Sequence, residues 1–234
     1  MSKLYLYGIT RPREVPERLR EQKVFLVEGD ERAAVVSELE EGPVEATRRN
    51  LLAHADVVEQ LHEDGVVLPA RFGYVLESQE GALELVALPE IEHLLELHEG
   101  TCELTLRGKY EESVLAEVGA GLQPLRDAYR VSPSVDAGIA LGEAVGEALA
   151  ARRAYDQSLV LDALGPLALD VVVGDPASEL AAFDLALLVE RGAVESVEKQ
   201  VEELVSRLSP PLQFRLVGPL PPYSFVRLAM PAVA

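Results

Sequence analysis

Leu167-Ala168-Leu169-Asp170-Val171-Val172-Val173, closed by Gly174-Asp175-Pro176, reads as a strand ending in a turn. Leu180 to Glu190 follows as an apolar run of strand length, the pattern of a buried strand. From Ala193 to Leu208 the period changes. Val194, Val197, Val201, Leu204 and Leu208 recur at three- and four-residue steps and make one face of an amphipathic helix. Phe214 to Val217 is a last short strand. Upstream, Ala137 to Leu164 predicts a long helix and Thr101 to Tyr110 alternates as a strand. Between them, Glu111 to Tyr129 is helical but broken by Gly119, Gly121 and Pro124. With that insertion set aside, the order is β-α-β-β-α-β. This is the ferredoxin-like arrangement, an antiparallel sheet with helices on one face.

The first half is a mixed α/β region. Leu4 to Ile9 reads as a strand, Pro12 and Pro16 break regularity, and Lys23–Glu28 and Ala33–Leu39 read as two strands around Gly29-Asp30. Gly42-Pro43 closes that section. A helix from Thr47 to about His62 carries Leu51, His54, Ala55, Val58, Leu61 and His62 on one face and ends at Gly65. Val66 to Leu76 is extended around Pro69, and Leu83 to Leu97 is helical with a restart at Pro89. The expected architecture is α+β in two domains: an N-terminal domain over 1–99, a ferredoxin-like domain over 100–217 and a proline-rich arm over 218–234.

Charge narrows the function. The 234 residues hold 21 Lys and Arg against 40 Asp and Glu, a net charge of −19. Such a surface repels phosphate backbones and anionic lipid, so nucleic acid is not an expected partner. No run approaches the roughly 20 apolar residues of a membrane helix, and no signal peptide pattern is visible, so a cytoplasmic location without membrane insertion is expected. The single Cys102 cannot form an internal disulfide and reads as a buried structural thiol on its strand.

Catalytic patterns are missing. There is no nucleophile elbow, no phosphate-binding loop and no dinucleotide fingerprint. Glu59–His62 and Glu90–His93 match Glu-x-x-His, which in di-iron bundles needs four core helices and two further carboxylates. Here one pair adjoins Pro89 and the other ends a helix, so neither metal, cofactor nor catalysis is expected. His54 reads as a packed, hydrogen-bonded histidine. Gly138, Gly142 and Gly146, followed by Ala150 and Ala154, form a small-residue stripe, read as close packing on the chain's own sheet.

Two segments ask for more than local explanation. In Leu68-Pro69-Ala70-Arg71-Phe72-Gly73 the proline confines an apolar stretch to an edge, a bulge or a domain seam. Arg71 is expected to be held there by a carboxylate or by backbone carbonyls. In Gly218-Pro219-Leu220-Pro221-Pro222-Tyr223-Ser224-Phe225-Val226 three prolines precede two aromatics. This arm is expected to fold back onto the chain, unable to extend a sheet ladder, with Tyr223 and Phe225 as its anchors.

Taken in order, these segments resemble the gas vesicle protein GvpL/GvpF family. The resemblance runs through the opening strand ending in Gly8, the Asn50 and His54 helix, and Leu68, Pro69, Arg71, Phe72 and Gly73. It ends with Gly218, Pro219, Pro221, Pro222, Tyr223, Ser224 and Phe225. Where the family often carries Trp between the terminal prolines, this chain has Leu220. The resemblance implies a two-domain fold with a ferredoxin-like C-terminal domain. It also implies a non-enzymatic accessory or minor structural protein of gas vesicle assembly, found in the cytoplasm or at the vesicle. Its partners would be the small shell protein GvpA or other accessory proteins, bound during nucleation and shell formation. Pro69, Arg71, Phe72, Gly73, His54, Gly218, Pro219, Pro222, Tyr223 and Phe225 are then the motif residues expected to serve structure or partner binding. The alternative is a small-molecule-binding regulatory module on the ferredoxin-like half, since a fold alone decides no function.

Overall fold

Leu4–Thr10 (β1) sets the first sheet through an irregularity. Leu6 and Ile9 are three residues apart, yet both point into the same apolar cluster. A strand alternates faces at every residue, so this requires a skipped step. The pairing supplies it: Leu6 lies opposite Val36 and Gly8 opposite Val35, a register shift between them. The structure, a computed structural model, describes residues 2–39 and 44–226. The Gly42-Pro43 turn and the tail from Arg227 to Ala234 lie outside the described residues.

Glu17–Glu21 (α1) leads to Val24–Glu28 (β2) and Ala33–Glu38 (β3), which pair antiparallel. Arg48–Glu63 (α2) is followed by the short strands Val67–Pro69 (β4) and Val75–Leu76 (β5). The sheet order is β2-β3-β1-β4, with β5 also on β1. Gln79–Val86 (α3) and Pro89–His98 (α4) complete this half, the break falling at the proline. Alternation then divides the core between two faces. Leu4, Leu6, Ala34, Val36 and Leu68 pack with Leu85, Ile91 and Leu95 of α3 and α4. Val24, Val35 and Val67 pack with Leu19 of α1 and Val57, Val58 and Leu61 of α2. Each such buried aliphatic contributes about 1.5–3 kcal/mol. The first sheet is therefore covered on both faces.

The second sheet contains Thr101–Tyr110 (β6), Asp170–Gly174 (β7), Ala181–Glu190 (β8) and Leu212–Leu220 (β9), in the order β7-β8-β6-β9. Ser113–Ala120 (α5), Gln123–Val131 (α6) and the 30-residue Val135–Leu164 (α7) stand between β6 and β7, and Val194–Leu208 (α8) precedes β9. The sequence order β-α-β-β-α-β thus holds, with α5 and α6 as the inserted helices. α8 buries Val197, Val201 and Leu204, and α7 buries Leu149, Val160 and Leu164. By internal contacts the chain forms two compact units, 1–103 with 218–234, and 104–217.

One expectation is corrected here. The last strand does not stop at Val217. It runs through Gly218 and Pro219 to Leu220, so the first part of the arm does extend a ladder. β9 ends the sheet order, and an edge strand has one unpaired side, where a residue without an N–H leaves no bond unmade.

Candidate functional site

Two regions are candidates. The first gathers the sequence motifs of the N-terminal unit. The Thr47 hydroxyl accepts the Asn50 N–H at 3.2 Å, capping α2, and the Asn50 side-chain amide donates to the Glu45 carbonyl at 2.9 Å. One turn later α2 presents His54, 6% exposed. His54 Nε2 lies 3.2 Å from the Ala70 carbonyl, which can only accept, so Nε2 carries the proton. Nδ1 therefore accepts from the Tyr5 hydroxyl, at 2.8 Å. The Tyr5 oxygen in turn accepts the Gly73 N–H at 3.2 Å. The bonds run in one direction, from Gly73 through Tyr5 and His54 to Ala70.

The surrounding rings fix that chain. Tyr7 stacks on His54 with centroids 5.6 Å apart, and Phe72 meets His54 edge-on at 5.7 Å. Burial lowers the His54 pKa, keeping the ring in the neutral form its bonds require. Burial also pushes the Tyr5 phenol up to about 12. A cavity of about 200 Å³ adjoins these rings, lined by Tyr5, Tyr7, Ser37, Asn50, His54 and Phe72 among others. Both imidazole nitrogens are already engaged, so His54 takes up a proton at Nδ1 only if the Tyr5 hydroxyl turns its own proton away.

The glycines of the motifs have geometric reasons. A Cβ on Gly8 would stand 2.6 Å from the Leu68 carbonyl oxygen, so only glycine lets β4 approach β1. Gly73 is the third residue of a turn in which Tyr74 N–H donates to the Arg71 carbonyl at 3.3 Å. Its φ of 85° is the positive value that a type II turn demands there. Pro69 ends β4 on the sheet edge. Arg71 is a correction. Its side chain is exposed and makes no ion pair or side-chain hydrogen bond among the described residues. As first residue of the turn it points away from the strand, while Phe72 turns inward.

The C-terminal motif divides differently from the expectation. Gly218 and Pro219 belong to β9, while Pro221 and Pro222 are buried. The Ser224 N–H and hydroxyl both donate to the carboxylate of Glu103, at 2.7 and 2.8 Å. Glu103 is 3% exposed, and Val226 joins the core beside Leu4 and Ala70. Tyr223 is 37% exposed and Phe225 only half-buried. Glu103 and Val226, not the two aromatics, fasten the arm, because the carboxylate satisfies two donors at once. Sequence reading passed over Glu103, one acid among 40.

The second region lies on α5, α6 and α7. Leu115, Leu125, Tyr129, Val131, Val135 and Ile139 are all exposed, Val131 at 85%. The small-residue stripe does not pack on the sheet here. A Cβ on Gly138 would stand 3.4 Å from the Tyr129 ring of α6, but one on Gly142 or Gly146 would meet nothing within 4 Å. Further along α7 the polar contacts are settled. Asp156, 1% exposed, accepts from the Tyr110 hydroxyl and from Arg152 Nε, both at 2.7 Å. Arg152 also reaches Glu117 on α5 at 3.2 Å. Neither the network nor the exposed face carries a short motif, which is why sequence reading missed both.

Among the described residues no three His, Cys, Asp or Glu side chains gather so as to hold a metal, and no helix is long and apolar enough to cross a membrane. His62 and Cys102 are buried.

The whole chain can be compared with known proteins. It is 31% identical to gas vesicle protein F of Streptomyces sp. (strain CB03234), over 95% of this chain and 98% of that one. It is 29% identical to gas vesicle protein F of Dolichospermum flosaquae, over 96% and 98%. The crystal structure of the gas vesicle protein GvpF from Anabaena sp. PCC7120 superposes with a TM-score of 0.85 at 26% identity, over 98% of this chain and 100% of that one. That of Microcystis aeruginosa, at 23% identity and a TM-score of 0.80, shares the fold over 97% and 100%. The family model of the gas vesicle synthesis proteins matches from residue 3 to residue 227 and so takes in both candidate regions. The chain belongs to the gas vesicle synthesis protein GvpL/GvpF family.

Proposed function

We propose that this chain is a non-catalytic accessory or minor structural protein of gas vesicle formation. It binds the small shell protein GvpA, or other accessory proteins, during nucleation and shell growth. The observation that carries this reading is the uncovered apolar face of α5, α6 and α7 on a chain of net charge −19. Exposed apolar surface of that kind marks contact with another protein. The charge keeps a complex with an aggregation-prone subunit in solution. The relatives are named for the gas vesicle and the family for its synthesis, which supports the same setting.

The small-molecule alternative gains little. On the ferredoxin-like half, where such a module would bind, the groove of about 710 Å³ beside α7 has the size of a ligand pocket but is open to solvent and lined by Leu115, Val145, Leu149 and Leu180. In the other half the cavity beside His54 holds about 200 Å³, below the roughly 300–1,000 Å³ of ligand pockets, and its histidine and Tyr5 are bonded to each other. Co-expression with the shell protein tests the assembly reading. The expected result is shell protein kept in the soluble fraction and co-purified with this chain. Absence of binding to the shell protein and to every other gas vesicle protein, with normal vesicles in a deletion strain, would overturn it.

A further inference from the structure

Between α5, α7 and residues 176–180 lies an open groove of about 710 Å³. Its floor is aliphatic, made by Val145, Leu149 and Leu180, with Leu115 of α5 at its side. One wall is bare backbone, because Gly142 and Gly146 stand one turn apart with open space where their Cβ atoms would be. Glycine is a poor helix residue, and alanine would fit both positions without a clash. Nothing inside the chain therefore requires glycine there. A partner backbone brought close to α7 would.

Charge selects the partner. Glu112 and Glu179 stand on the rim, and Glu143 and Glu147 are exposed beside the two glycines. Arg152 is paired with Asp156 and Glu117, and Arg153, which lines the groove and donates to the Glu179 carbonyl, is one cation against these four carboxylates. The rim is therefore acidic. A second copy crossing on the same stripe would oppose glutamate to glutamate, which disfavours self-association. The groove also favours a helix over an extended segment. Two of its walls are helices whose backbone groups are internally bonded, and on the third side the carbonyls of Ser178, Glu179 and Leu180 already accept hydrogen bonds, so a strand would find few ladder partners, whereas a helix brings its own.

We propose that the α5–α7 groove receives an amphipathic helix of a gas vesicle protein. That helix has an apolar face with small residues at the crossing and Lys or Arg along its flanks. The proposal rests on the assembly reading and names the surface and the partner chemistry for it.

The test uses the full chain co-expressed with the shell protein, and then with each other gas vesicle protein in turn. Gly142→Leu with Gly146→Leu fills the groove from the wall, and Glu143→Lys with Glu147→Lys inverts its rim. Both double variants are expected to melt no lower than the parent chain and to lose affinity for the bound partner about tenfold or more. Parent binding is expected to weaken as salt rises from about 0.1 M to about 1 M. If the leucine variant does not fold, the lysine variant decides. Undiminished binding by the folded variants overturns the groove while leaving the assembly reading standing. Absence of binding by the parent chain to every gas vesicle protein overturns both.

Discussion

The His54 cluster and the α5–α7 face treat their side chains in opposite ways. Around His54, the donors and acceptors on Tyr5, Ala70, Gly73 and the imidazole itself find each other, and the rings of Tyr7 and Phe72 pack against them. On α5, α6 and α7 apolar side chains from Leu115 to Ile139 stand 40–85% exposed, and Gly142 and Gly146 face open space. The polar groups of the motif-rich region thus satisfy one another, with a cavity beside them, and the motif-poor region carries exposed apolar side chains. Residues that must satisfy one another's hydrogen bonds are constrained in type and spacing, so they make a visible motif. A surface that needs only apolar area and a charge sign is met by many sequences.

That contrast breaks first at His54. His54→Ala leaves the Tyr5 hydroxyl and the Ala70 carbonyl unpaired and opens a cavity, so stability should fall by about 3 kcal/mol in urea unfolding. A change near zero would mean that the joint is not structural. Glu103→Ala removes the acceptor of both Ser224 donors and should cost about 2 kcal/mol, with the arm becoming sensitive to limited proteolysis.

The next effect is one of pH. Burial lowers the pKa of His54 and of His98, which is 2% exposed. Each is neutral when folded, and the unfolded chain takes up the proton first. Stability is therefore complete above the unfolded imidazole value of about 6.5 and is lost as pH falls below it. Melting curves between about pH 7.5 and about pH 5.5, about one unit either side of that midpoint, should show the loss, and His54→Ala should reduce its slope.

The sign reverses on the other region. Gly142→Ala and Gly146→Ala should each raise stability by up to about 1 kcal/mol, because the new Cβ meets nothing and the helix gains propensity. A loss there would show that the stripe packs within the chain after all. Arg71→Ala should change stability by less than about 0.5 kcal/mol, since the side chain is exposed.

Much of this was open to reading from the chain alone. The order of strands and helices in the second half, the break at Pro89, the buried Cys102 and the packed His54 all follow from periodicity and residue type. So does the resemblance carried by the ordered motifs, because each is a local requirement on a few neighbouring residues. The Gly73 turn and Pro69 on an edge strand are local in the same sense, φ and the missing N–H being properties of single residues.

What only the tertiary structure decided is pairing and exposure. The skipped step between Leu6 and Gly8 puts Ile9 on the face of Leu6, and it exists only against β3. Glu103 became the fastening of the arm through Ser224, 121 residues away. Arg71 was expected to be held and stands exposed, because the turn aims Phe72 inward in its place. Gly142 and Gly146 of α7 were expected on a sheet and instead line a groove. Local sequence determines which conformation a residue can adopt. Whether its side chain meets another chain segment or solvent depends on contacts between residues far apart, and no short window of sequence contains both partners.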